Sequence, residues 1–125
     1  MSTMPKITEA EWAVMKVFWA KSPRTANEVV DALDGSGWNP KTIRTLINRL
    51  KNKKALDFEK DGREHLYFPL VAEHECVRQE TQSLLSRAGT TALKPMLAAF
   101  IEDQALSDKE IEELKSILNK KQNNH

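Results

Sequence analysis

Lys41, Thr42, Arg44, Thr45 and Asn48 lie within the stretch NPKTIRTLINRLKNKK (39–54), which holds six of the chain's nineteen Lys and Arg residues and no acid. Each of these side-chain types can do part of the work of reading a DNA duplex. Lys and Arg neutralise phosphates. Arg also offers a fork to guanine O6 and N7, Asn matches the N6/N7 edge of adenine, and a Thr methyl can meet the thymine methyl. Arg49, Lys51, Lys53 and Lys54, further along, read as phosphate contacts. The competing reading is an ordinary solvated face, because Lys, Arg and Asn are common on the outside of any helix. The choice depends on the elements that position these residues.

Asn39 is a helix cap and Pro40 sits at the first helical position, where a missing N–H costs nothing. At about 100° per residue, Ile43, Leu46, Ile47 and Leu50 share one stripe that must face a core. Lys41, Thr45, Asn48 and Asn52 form the opposite stripe, flanked by Arg44 and Arg49. Upstream, Thr8-Glu9-Ala10-Glu11 is a capping box opening a helix to about Ala20, which Ser22-Pro23 stops. Thr25-Ala26-Asn27-Glu28 is a second box, starting a short helix with Val29, Val30 and Leu33 inward and ending at Asp34-Gly35-Ser36-Gly37. A short helix, a Gly-containing turn and a longer helix with a basic and amide outer face form a helix-turn-helix pattern.

Two short strands follow, 55–60 and 64–70, around the turn signal Asp61-Gly62. Alternation places Leu56 and Phe58 inward, and likewise Leu66, Phe68 and Leu70. Arg63 at the tip reads equally as a phosphate or minor-groove contact and as a charge that is merely exposed. From Ala72 the chain is helical: 73–88, a helix after Thr91, and one opened by the capping box Ser107-Asp108-Lys109-Glu110. The tail Lys120 to His125 should fray. Leu93, Met96, Leu97, Phe100 and Ile101 form one apolar stripe there, and Ile111, Leu114, Ile117 and Leu118 another. Three helices of this size, with no sheet to pack on, close a core poorly, so a symmetric partner is the economical cover. The expected fold is mainly α with a small β-hairpin wing: a winged helix-turn-helix domain over 1–71, then an all-α dimerisation element over 72–125.

Composition narrows the function. The hydrophobic share is 40% and the charged share 30%, which suits a folded domain. No apolar run approaches a membrane span and no secretory pattern opens the chain, so membrane insertion is not expected and a cytoplasmic protein is. The net charge of +1 is unevenly placed: residues 1–71 carry twelve bases against nine acids, and 72–125 seven against nine. A single cysteine, Cys76, excludes a disulfide framework and multi-cysteine zinc sites. His74 and Cys76 point about 200° apart on a helix and cannot share an ion. Trp12, Trp19 and Trp38 read as packing. No nucleophile has a base beside it and no phosphate loop is present, so neither catalysis, a metal nor a cofactor is expected.

The segments AEWAVMKVFW (10–19), TANEVVDAL (25–33), NPKTIRTLINRL (39–50), DGREHLYFPL (61–70) and LSDKEIEELKSIL (106–118) together resemble the penicillinase repressor (BlaI/MecI) family over nearly the whole chain. The resemblance implies a homodimeric winged-helix repressor on an inverted-repeat operator with TACA and TGTA half-elements, controlling resistance genes. It assigns Lys41, Thr42, Arg44 and Thr45 to the recognition helix and the wing near Arg63 to the DNA backbone. It also implies a membrane sensor-protease that cuts between Asn and Phe in the first dimerisation helix. Ala99 stands where that asparagine would be, before Phe100. The copper-responsive relatives' Cys-x-Cys pairs have no counterpart here. Two other readings stay open from the residues alone: a winged-helix scaffold for acidic proteins, and a regulator that senses a small ligand directly.

Overall fold

The computed structural model describes residues 5–124, and the backbone alone at Thr90. The order of elements is α1 (Glu9–Ala20), α2 (Ala26–Ala32), α3 (Pro40–Asn52), β1 (Leu56–Asp61), β2 (Glu64–Pro69), α4 (Glu73–Ala88), α5 (Leu93–Asp103) and α6 (Asp108–Asn123), with one 3-10 turn at Thr90–Ala92. It is a winged helix followed by helices, as the pattern predicts.

The helices begin where the caps place them. Thr8 Oγ1 accepts from the Glu11 N–H while Glu11 Oε1 accepts from the Thr8 N–H at 2.9 Å. Thr25 with Glu28 and Ser107 with Glu110 repeat the reciprocal pair. At the head of α3, Asn39 Oδ1 accepts from the Thr42 N–H at 2.8 Å. The other end of α3 closes in a way not read from the sequence. Lys54 adopts φ +68°, its N–H reaches Lys51 O at 3.0 Å and the Ala55 N–H reaches Leu50 O at 2.9 Å. This is a Schellman closure, with lysine in the left-handed position usually held by glycine. It reverses the chain sharply so that β1 starts against the core.

Gly62 (φ +66°) and Arg63 form the two-residue turn of the hairpin, so Asp61 belongs to β1. The turn pairs Asp61 with Glu64, and hence Phe58 with Tyr67 and Leu56 with Pro69. Cross-strand partners share a face, so Leu56, Phe58, His65 and Tyr67 lie together. Leu66 and Phe68 pair with Glu59 and Asp57 on the opposite face, and Leu70 is 49% exposed. The expectation that Leu66, Phe68 and Leu70 point inward is therefore corrected. Alternation identifies two faces, but the turn decides which residues of β2 join which face of β1. Arg24 adds a bridge to β2, its N–H to Tyr67 O at 3.0 Å and Tyr67 N–H to its carbonyl at 2.8 Å.

Contacts divide the chain into two compact units, one ending at Gln82 and one beginning at Ser83. The core of the first consists of Ile7, Val14, Met15, Phe18, Val29, the α3 stripe, Ala55, Leu56 and Cys76. Cys76 explains why the division falls within α4: the first part of that helix fills the winged unit's core. In the second unit α5 and α6 bury no residue. The helix α6 continues through Asn123, which corrects the expected fraying of Lys120–Asn123; Lys120 and Lys121 in its last turn complement the helix dipole. His125 lies outside the described residues. No described helix is long and apolar enough to cross a membrane.

A left-handed lysine carries a Cβ clash that glycine lacks. Lys54→Gly is expected to raise the unfolding free energy by about 0.5–1 kcal/mol, read from urea melts; an unchanged or lower midpoint would contradict this account of the α3 terminus.

Candidate nucleic-acid interface

The helix α3 is divided lengthwise between core and solvent. Ile43, Leu46, Ile47 and Leu50 are at most 5% exposed, whereas Lys41, Thr42, Arg44, Thr45, Asn48 and Arg49 are all exposed. Every Lys, Arg, Thr and Asn of the first three turns is thus available on one side. Thr45 Oγ1 donates to Lys41 O at 3.0 Å, which holds its hydroxyl proton within the helix. Arg44 donates from a guanidinium nitrogen to Asn27 Oδ1 on α2. Arg63 at the hairpin tip and Arg44 line the same cleft, together with Thr25, Asn27, Glu64, His65 and Tyr67. The wing tip and the exposed face of α3 thereby meet at one polar cleft that carries two arginines and one carboxylate.

Two lysines at the end of α3 hold structure together. Lys51 Nζ lies 4.9 Å from the centroid of Phe58, a cation–π contact that ties α3 to β1. Phe58 in turn stacks on His65 at 4.2 Å. Lys53 corrects an expectation. Its ammonium donates to Glu11 Oε1 at 2.5 Å and to Lys6 O at 2.8 Å, so it is engaged across the fold rather than held out to phosphates. Glu11 is 1% exposed. Burial pushes its carboxyl up. The hydrogen bonds from Lys53 and from Thr8, with the lysine charge, more than offset that and hold it below the ordinary carboxylate range.

Neither the Arg44–Asn27 nor the Lys53–Glu11 contact was legible in the sequence. Glu11 closes a capping box, where a local role already accounts for its type, and Asn27 is one exposed polar residue in the first turn of α2 with no local bond to single it out. Only the packing of α1 and α2 against α3 brings them to their basic partners. The tryptophans are packing residues: Trp12 and Trp19 meet edge to face at 5.3 Å, Trp19 Nε1 donates to Val71 O at 2.9 Å, and Trp38 leans on the core. Buried Cys76 has its thiol pushed up by burial and by Glu75 and Glu73.

In the second unit, Leu93, Leu97, Phe100, Ile101, Ile111, Leu114, Ile117 and Leu118 are between 37% and 67% exposed. Met96 is half-buried. Ala99 and Phe100 fall inside α5, and Phe100 is 55% exposed.

Residues 7–120 match the family model of the penicillinase repressor. The chain belongs to that family. It is 40% identical to the penicillinase repressor of Bacillus licheniformis, over 98% of this chain and 97% of that one. It is 37% identical to the methicillin resistance regulatory protein MecI of Staphylococcus aureus, over 93% and 95% respectively. Among solved structures, the DNA-binding domain of the repressor BlaI aligns with a TM-score of 0.52 at 43% identity, covering 58% of this chain and 90% of that domain. The B. licheniformis BlaI monomer bound to the blaP half-operator aligns with a TM-score of 0.53 at 43% identity, covering 60% and 93%. The family match therefore runs through both compact units.

A carboxyl depressed in the folded state stabilises fully above its unfolded pKa, near 4.5 here, and that contribution is lost as pH falls through the lower folded value. Glu11→Gln is expected to cost about 2 kcal/mol at neutral pH. In urea melts at stepped pH, the two proteins should converge below pH 4.5; a gap that stays constant into strong acid would contradict the pairing.

Proposed function

We propose that the protein is a homodimeric, sequence-specific DNA-binding repressor, acting in the cytoplasm on an inverted-repeat operator and controlling antibiotic-resistance or related operons. The observation that carries this reading is the face of α3. In a chain of the penicillinase repressor family, Lys41, Thr42, Arg44, Thr45 and Asn48 stand exposed on the outer side of a helix whose inner side is fully buried, with Arg63 at one end of the same surface. The N-terminal half of such a helix enters the major groove. Arg44 and Asn48 then meet base edges, Thr45 offers its methyl, and the exposed Arg49 and Arg63 lie towards the backbone. A scaffold for acidic proteins would need the charge alone. The half-operator complex of the related BlaI monomer supports base reading instead.

Dimerisation is supported by the second unit. Its apolar residues on α5 and α6 have no cover of their own, and a symmetric copy of the same helices supplies matching surface. Joining two winged units raises the effective concentration of the second at its half-site by orders of magnitude. One weak reader becomes a tight dyad binder, and loss of the dimer releases the operator. The family resemblance adds a membrane sensor-protease as the releasing partner. Here the bond in question is Ala99–Phe100, within α5 among the dimerisation residues, with alanine in place of asparagine.

Fluorescence-anisotropy titration against a TACA/TGTA dyad duplex and a scrambled duplex, at two salt concentrations, tests the reading. The wild-type protein should prefer the dyad by some orders of magnitude. Arg44→Ala should cost about 1–3 kcal/mol on the dyad and relax sequence preference, whereas Arg49→Ala should weaken both duplexes alike and lower the salt slope by about one. Equal losses on both duplexes from Arg44→Ala would refute base reading by that residue. Leu114→Asp should give folded monomers in sedimentation velocity, because a carboxylate in an apolar interface has no partner; an intact dimer would place the interface elsewhere.

A further inference from the structure

Arg44 is exposed, and a free arginine side chain loses up to about 2 kcal/mol of rotamer freedom when a ligand fixes it. In this structure one of its guanidinium nitrogens donates to Asn27 Oδ1, seventeen residues away on α2. Arginine has donors only, so the Asn27 amide must present its oxygen. That leaves the remaining N–H groups of the fork unoccupied by this contact. The support behind Asn27 is stiff. Its helix begins with the reciprocal Thr25–Glu28 cap, and the residue before that cap, Arg24, is hydrogen-bonded in both directions to Tyr67 of β2. Asn27 is exposed and takes no part in the core, and neither cap bond of α2 uses its side chain.

We infer that Asn27 is a positioning residue for DNA recognition: it holds the Arg44 guanidinium in one orientation, so that the unused part of the fork is presented to a guanine edge before the operator arrives. This rests on the reading of Arg44 as a base contact. The role of α2 is then more than bracing the recognition helix from behind. Its first turn aims a specificity-determining side chain, and the bridge from Arg24 to the wing fixes that aim relative to the hairpin. Preorganisation of this kind favours the correct base over others, because a held fork meets a mismatched edge with its donors unpaired.

The test uses the full-length protein with Asn27→Ala, Asn27→Asp, Arg44→Ala and the double variant Asn27→Ala/Arg44→Ala, titrated against the dyad and scrambled duplexes at one salt concentration. Asn27→Ala is expected to reduce the preference for the dyad roughly tenfold, the equivalent of one charged hydrogen bond, without changing affinity for the scrambled duplex. It should have no further effect on preference once Arg44 is removed. Asn27→Asp keeps an acceptor for the guanidinium and adds a charge that repels every duplex, so it should lower both affinities while retaining the preference. An unchanged preference in Asn27→Ala, or a loss of equal size with and without Arg44, would overturn the inference; the latter would make Asn27 itself a DNA contact. Tighter dyad binding by Asn27→Ala would overturn it too, showing a latch that Arg44 must leave. If Arg44→Ala alone keeps full preference, the base-reading assignment falls and this inference with it.

Discussion

The burial of Ile43, Leu46, Ile47 and Leu50 is the interaction on which the rest depends. These four side chains are almost wholly removed from water, each worth on the order of 1.5–3 kcal/mol, and they hold α3 against α1, α2 and β1. Their helical spacing leaves the opposite side of α3 no choice but solvent. A face that carries Lys41, Arg44, Thr45 and Asn48 could not be buried without stranding charge. Core packing and an exposed basic and amide face are therefore two consequences of one amphipathic repeat.

Around that helix the fold adds contacts that fix angle rather than supply bulk stability. The Lys53–Glu11 pair locks the end of α3 to the start of α1. The Lys51–Phe58 contact sets the hairpin against α3, and the Arg24–Tyr67 bridge ties the start of α2 to β2. Trp19 reaches over to Val71 as the chain leaves the wing. Helix, wing and supporting helix are thus tied to one another by specific contacts, which suits the proposed recognition of a duplex better than a set of flexible basic tails would. The second unit is the opposite case. Its last helix is well capped, with Ser107 and Glu110 closing the start of α6 as firmly as Thr8 and Glu11 close α1, yet the apolar residues of α5 and α6 stay partly exposed. A unit with good local structure and no core of its own invites completion by another copy.

Much of this was legible from the residues. The three capping boxes, the Asn39-Pro40 start of α3 and the buried and exposed stripes of that helix follow from short-range rules: a cap satisfies neighbours three residues away, and a helical stripe is set by a fixed rotation per residue. The chain also resembles its family across nearly its whole length, and the family match covers residues 7–120. The faces of β2 differ from the expectation because parity across a hairpin depends on whether the turn holds two residues or three: strands over 55–60 and 64–70 imply a three-residue loop, whereas Gly62-Arg63 alone form the turn and Asp61 pairs with Glu64.

By itself, then, the sequence determined which segments are helix or strand, where the helices start, which side of α3 is apolar, and which side chains are chemically able to read DNA. Those properties depend on neighbours along the chain. Only the tertiary structure decided which basic residues are free. It took Lys53 for a buried carboxylate, set Lys51 on an aromatic ring and gave Arg44 to Asn27. These partners are separated by 42, 7 and 17 residues, and whether such groups meet depends on how helices cross, a geometry settled by the packing of the whole core rather than by any local pattern.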